Sequence, residues 1–207
     1  MKPQDGRSHF DRRAPRYDRS IHQKLMFGPV HETVLSAFGA FAAVPRDVLD
    51  VGCGTGRLLE SAGRLWPGAK LVGVDASERM IAEARRKHDG DARFMFEQRD
   101  ASDLRLEDAS FDVAFSTMSF HHWGDKAAGI REVARVLRPG GLFLLADVAP
   151  PLLFMLRPLL NRGERADFRR PAAVRRLFEQ GGLSVVMERR FWRLVRVRLF
   201  VTRKDHE

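Results

Sequence analysis

The chain has 207 residues, 44% of them apolar, one cysteine and a formal charge of +9, which suits a single domain with a sizeable core. One cysteine excludes an intramolecular disulfide, a paired-cysteine zinc site and a three-thiolate iron–sulfur centre. No run reaches the ~18–20 apolar residues of a membrane span, and the amino terminus lacks the apolar core of a secretion signal, so a cytoplasmic protein without a metal site is expected.

The charge is uneven: +4 over residues 1–24, −3 over 25–149 and +8 over 150–207. A basic rim of this kind suits an anionic substrate, nucleic acid or membrane surface. Compositional bias explains it equally simply, since 30 of the 36 basic residues are arginine.

In chain order, a helix is expected over 30–42, behind a basic amino-terminal segment. From residue 46 onward strands and helices alternate, the pattern of a mostly parallel sheet. Residues 47–53 (DVLDVGC) form a buried strand ending at glycines. A helix over 56–66 stops at Pro67-Gly68. A second strand over 70–74 ends at Asp75, and Ser77 caps a helix over 78–88. Strands follow over 93–98 and 111–116. Asp125 caps a helix with Ile130, Val133, Ala134 and Leu137 on one face, stopped by Pro139-Gly140-Gly141 before a strand over 142–148. Pro171 opens a helix that presents Val174, Leu177 and Phe178 and stops at Gly181-Gly182. Strands over 183–188 and 194–202 are close enough in sequence to pair antiparallel. In the last of them Val195, Val197, Leu199 and Val201 alternate with Arg196, Arg198 and Phe200, as in a half-exposed strand.

Gly52, Gly54 and Gly56 lie between a buried strand and a helix, where backbone can approach a ligand and free helix N–H groups favour an anion. The G-x-G-x-G spacing is not the dinucleotide fingerprint, whose third glycine would fall at Arg57. No G-K-[ST] follows as in a phosphate loop. Asp75 ends the second strand 23 residues after Gly52, where a carboxylate can accept both hydroxyls of a ribose.

DVLDVGCGTG, LVGVDAS, FEQRDASDL, FDVAFSTMSFHHW and RVLRPGGLFLLADV, in this order, resemble the class I S-adenosylmethionine-dependent methyltransferases. They fall in the methyltransferase type 11 group that includes ubiquinone and menaquinone C-methyltransferases. The resemblance is close over 48–148 and looser at FDRRAPRYD. It implies a doubly wound, Rossmann-like α/β/α fold with a seven-stranded sheet, parallel except for one antiparallel strand near an edge. It implies S-adenosylmethionine as cofactor and S-adenosylhomocysteine as product. Asp50, Gly52 and Gly54 would surround the methionine moiety, and Asp75 would hold the ribose beside Ala76 and Met80. Asp100 would bind the adenine amino group and Ala101 would offer its N–H to the ring. Thr117 and Met118 would line the sulfonium and methyl group. Tyr17, in an amino-terminal lid, would approach the cofactor carboxylate or the acceptor. The expected layout is a lid and helix over 1–45 and a methyltransferase domain over 46–207, with an acceptor-side insertion at 150–170.

The Asn/Asp-Pro-Pro-Tyr/Phe motif of adenine-N6 and glutamine methyltransferases is absent after the fourth strand, where Ser116-Thr117-Met118-Ser119 stands. Cys53 is misplaced for a cytosine-C5 nucleophile and reads as packing. His121 and His122, the latter the first choice, are candidate general bases toward a hydroxyl or acidic C–H; a cofactor-pocket packing role is the alternative. Residues 150–170 are apolar and then arginine-rich, which suits a small hydrophobic, anionic acceptor or a core helix with a basic face. Methylation of RNA or protein stays open because of the basic termini, although no RNA-binding module is present. A cofactor-binding regulator without turnover stays open as well.

Overall fold

The computed structural model describes residues 21–149, 171–192 and 196–205. Tyr17, the lid, the 150–170 insertion and Val195 lie outside these residues.

Helix α1 (Ile21–Gly39) leads to β1 (Asp47–Val51), α2 (Arg57–Leu65), β2 (Lys70–Asp75), α3 (Glu78–Lys87), β3 (Phe94–Gln98) and β4 (Phe111–Thr117). A short 3-10 turn (Phe120–His122) precedes α4 (Lys126–Val136), β5 (Leu137–Ala149), α5 (Pro171–Gln180), β6 (Leu183–Trp192) and β7 (Arg196–Lys204). The seven strands form one sheet in the order β3-β2-β1-β4-β5-β7-β6. Strand β7 is antiparallel to both β5 and β6, and the other neighbours are parallel. The doubly wound, mostly parallel sheet expected from the sequence is therefore present, with its one reversed strand second from the edge.

Parallel strands buried on both faces read as continuous apolar runs, and β1 and β4 are buried over nearly their whole length. One core joins α1, α2 and α3 to one sheet face through Val34, Phe38, Leu58, Leu59, Ile81 and Phe115, among others. A second joins α4 and α5 to the opposite face through Ile130, Val133, Phe143, Val174, Phe178 and Phe200. Phe38 meets Trp66 edge-on at 5.1 Å, and Trp66 stacks over Phe115 at 6.4 Å. These rings fix α1 across α2 and β4.

Helix α1 starts earlier than the sequence suggests and runs through Pro29. A proline inside a helix costs about 3 kcal/mol; the burial of Val30, Val34, Leu35 and Phe38 outweighs it. Ser77 and Asp125 cap α3 and α4 as expected, accepting from the N–H groups of Met80 (3.3 Å) and Ala128 (2.9 Å).

Two expectations are corrected. Helix α4 ends at Val136, before the Pro-Gly-Gly, because Leu137 already pairs with Phe111. The next residue pair is Val113 with Leu142, so residues 138–141 form a bulge within β5. Strand β7 is not half-exposed: Val197 to Thr202 are all buried, Arg198 included at 8% exposure. Its guanidinium reaches Glu188 of β6 at 2.5 Å, which lets a charged residue occupy a buried face.

Candidate active site

In an open α/β sheet, ligands bind outside the carboxyl ends of the strands where the strand order reverses. Here that point lies between β1 and β4, and most of the candidate residues converge on it. Asp50 is on β1, Asp75 ends β2, and Asp100 follows β3. Thr117 ends β4 with Met118 next, and Asp147 is near the end of β5.

The loop after β1 is held by β2. The N–H groups of Gly52 and Cys53 both donate to the Val74 carbonyl, at 2.7 and 3.0 Å. Asp75 fastens it further: one carboxylate oxygen accepts from the Gly54 N–H at 2.9 Å and the other from the Ser77 N–H at 2.8 Å. Gly52 has φ +79°, and a Cβ there would lie 2.2 Å from the Ser119 hydroxyl oxygen. Only glycine fits this backbone shape and this approach. Gly54 also has positive φ, but a Cβ on it would meet nothing within 4 Å. Among the described residues the space beside it is open, as a ligand-bearing turn requires.

Asp50 is 1% exposed, and among the described residues its Oδ1 has no hydrogen-bond partner. Burial, and secondly the Asp75 carboxylate, push its carboxyl up to about 8. Burial also raises the Cys53 thiol, with Asp75 and Asp50 adding to the effect. The floor of the loop is therefore acidic and incompletely satisfied, an environment that favours an incoming cation.

Farther along the crevice, Ala76 accepts a bond from the Gln98 amide at 3.2 Å, and Met80 is buried at the start of α3. Asp100 accepts from the Ser102 N–H at 3.1 Å and the Ser102 hydroxyl at 2.8 Å. Ala101 packs against the α4-side core. Thr117 and Met118 are nearly buried, and Met118 adopts φ +57°. A non-glycine residue in this region is uncommon and clusters at functional sites.

The segment after β4 carries the most distinctive geometry. The Ser119 hydroxyl donates to the Val51 carbonyl at 3.0 Å. Its single proton is thereby used, so the Ser116 hydroxyl, 2.8 Å away, donates to Ser119. These bonds tie the ends of β1 and β4 together. The 3-10 turn then brings His121 onto Asp147. The Asp147 carboxylate accepts from the His121 backbone N–H (2.9 Å) and the Val148 N–H (2.7 Å). It lies 2.8 Å from His121 Nδ1. An acceptor so placed holds the proton on Nδ1 and leaves Nε2 its lone pair. Asp147 is fully buried whereas the His121 side chain is 35% exposed. His122 is exposed and packs its ring 3.9 Å from that of His121. The Lys126 ammonium donates to the Trp123 carbonyl at 3.1 Å and secures the end of the turn. Sequence reasoning singled out both histidines but not Asp147, Ser119 or Lys126. The available signal for Asp147 was a lone carboxylate in the apolar run of β5.

Residues 48–141 match the family model of a methyltransferase domain. A demethylmenaquinone methyltransferase of Thermus thermophilus is 34% identical over 146 residues, which cover 69% of this chain and 65% of the relative. The 27-O-demethylrifamycin SV methyltransferase of Amycolatopsis mediterranei is 42% identical over 105 residues, 48% of this chain and 38% of the relative. In structure, a SAM-dependent methyltransferase of Aquifex aeolicus aligns with TM-score 0.71 at 20% identity, over 94% of this chain and 98% of that one. The chain thus spans between 38% and 65% of the length of these two curated relatives. Residues 48–141 are a domain of the class I S-adenosylmethionine-dependent methyltransferases. The residues present fit that cofactor: the unpartnered Asp50 Oδ1 suits a ligand carrying positive charge, and Gly54 leaves room for it.

Proposed function

We propose that this protein transfers the methyl group of S-adenosylmethionine to an oxygen or an acidic carbon of a small molecule, with His121 as general base. The observation that carries this reading is the His121–Asp147 pair at the carboxyl ends of β4 and β5. When bound, the cofactor supplies a methyl group already activated by its sulfonium charge.

The chain's own residues do the rest. Asp50, Gly52 and Gly54 surround the methionine end. Asp75 accepts the ribose hydroxyls beside Ala76 and Met80; its two backbone bonds use part of the roughly four lone-pair positions of a carboxylate. Asp100 and Ala101 recognise the adenine. Thr117 and Met118 border the reacting methyl group. His121 Nε2 takes the proton that a hydroxyl or acidic C–H must release on methylation. Positioning of acceptor and methyl donor can supply roughly 7–11 kcal/mol of the barrier. Residues 1–45, with Tyr17, act as lid and helix, and residues 150–170 form the acceptor side, which suits a hydrophobic, anionic molecule. Nucleic acid is not favoured as the acceptor.

The test is a screen of phenolic, carboxylic and quinol acceptors with wild type, His121→Ala and Asp147→Asn. General-base loss lowers kcat by about 10²–10⁴-fold while S-adenosylhomocysteine affinity stays unchanged. Full activity in His121→Ala would remove the base from the mechanism. Cofactor binding without turnover on any acceptor would favour the regulatory reading.

A further inference from the structure

The ladder between β1 and β4 ends at Asp50 and Phe115. Past that point lie the two pieces of chain that the proposed reaction needs in register: the glycine loop after β1 and the 3-10 turn that carries His121. Each is shaped from a different strand. The loop hangs on β2, through the Gly52 and Cys53 N–H groups on the Val74 carbonyl and the Gly54 N–H on Asp75. The turn hangs on β5, through the Met118 N–H on the Ala146 carbonyl (2.8 Å) and His121 on Asp147. Neither set of bonds joins the loop to the turn. Ser119 supplies that link. Its hydroxyl donates to the carbonyl of Val51, one residue past the ladder, at 3.0 Å. Its own carbonyl accepts from the His122 N–H at 2.8 Å, which closes the turn. It also abuts the loop, since a Cβ on Gly52 would lie 2.5 Å from the Ser119 Cβ. Met118 adopts φ +57° to bring the chain round to this crossing. Such a conformation costs about 1–3 kcal/mol and persists only where its surroundings hold it.

We propose that Ser119 is a positioning residue for methyl transfer, setting the place of the His121 base relative to the loop that holds the cofactor. This rests on the cofactor and general-base reading above. Ser119 touches neither reacting atom. It acts through Val51 and Gly52 on one side and through the 3-10 turn on the other. Loop occupancy and the orientation of the imidazole are thereby linked, and such a linkage runs equally in both directions.

The full chain tests this as wild type, Ser119→Ala, Ser116→Ala and His121→Ala. The readouts are calorimetry with S-adenosylhomocysteine, nitrogen NMR signals of the histidine rings, and turnover of the acceptor found by the screen above. Ser119→Ala is expected to keep its affinity for S-adenosylhomocysteine, because β2 still shapes the loop. Its kcat falls by up to about 10²-fold, the cost of a misplacement of about 1 Å. In the His121→Ala background the same substitution costs nothing further, since residues that act as one unit are not additive. Ser116→Ala, which keeps the Val51 bond, loses less. The His121 ring signals, assigned by their absence in His121→Ala, move on addition of S-adenosylhomocysteine to wild type and move less in Ser119→Ala; this readout needs no acceptor. Additive losses, a fall in cofactor affinity that matches the fall in kcat, or an equal ring response in the two proteins would show a merely structural hydroxyl and overturn the proposal. Wild type that does not bind S-adenosylhomocysteine defeats the cofactor reading itself, and this proposal with it. Binding without turnover on any acceptor counts against the activity alone, and the ring signals then decide the proposal.

Discussion

Asp75 has one observed role and one proposed role. Its carboxylate binds the Gly54 and Ser77 N–H groups and so shapes the loop; in the proposed function it also offers oxygens to a ribose. Asp75→Ala removes both and should weaken S-adenosylhomocysteine binding about 10- to 100-fold, read by titration. Asp75→Asn retains one acceptor oxygen and should lose less. Gly52→Ala meets the Ser119 side chain and should destabilise the fold by about 1–3 kcal/mol, measured by denaturant unfolding. Ser119→Gly in the same chain should recover part of that loss. At this scale the sequence was legible wherever a motif carries a residue within one strand-loop-helix unit. Asp50, the three glycines and Asp75 are of that kind. It was less legible for the proposed base: the sequence put His122 ahead, and it is Asp147, 26 residues from His121, that marks His121 instead.

Among the elements, β7 shows how alternation misleads. Arg196 and Arg198, two positions apart, read as a wet face, yet Arg198 is buried and paired with Glu188 of β6. Glu188 also accepts from Arg175 of α5 at 2.6 Å, so one carboxylate links helix and strand pair. Breaking a buried pair leaves an uncompensated charge, so Glu188→Ala should cost about 3–5 kcal/mol. Arg198→Met, which removes the charge instead, should cost markedly less; urea unfolding of both variants decides it. The caps Ser77 and Asp125 were readable because a cap is a local rule. The bulge at 138–141 was not, since it is set by pairing with β4, and helix stop signals of the same composition mask it.

Over the whole molecule, Asp50 makes stability depend on pH in an unusual direction. Its carboxyl is raised to about 8 in the folded chain, against about 4 for an ordinary aspartate. Between those values the folded state holds a proton that the unfolded state has released. Stability contributed by this group is therefore complete below about pH 4 and is lost as pH rises through 8. The difference in melting temperature between Asp50→Asn and wild type should grow in favour of the variant from pH 5 to pH 8.5. A ligand that brings an ammonium to Asp50 favours its ionised form, so stabilisation by S-adenosylhomocysteine should increase over the same interval in wild type and not in the variant. The mostly parallel sheet, its reversed strand near an edge and the helices on both faces were legible because alternating strands and helices admit few topologies. The acceptor side was not, because residues 150–170 contain no period or motif that fixes a shape.

Cys53 is packed under the loop against the position of Gly73, 8% exposed, with its thiol raised by burial and two carboxylates. Thiolate is the reactive form, so this sulfur should ignore alkylating reagents until the chain unfolds. The protein is then a natural blank for site-specific labelling. A cysteine introduced at the exposed His122 would be its sole reactive handle, and a fluorophore there could report motion beside the crevice with no native cysteine removed for the purpose.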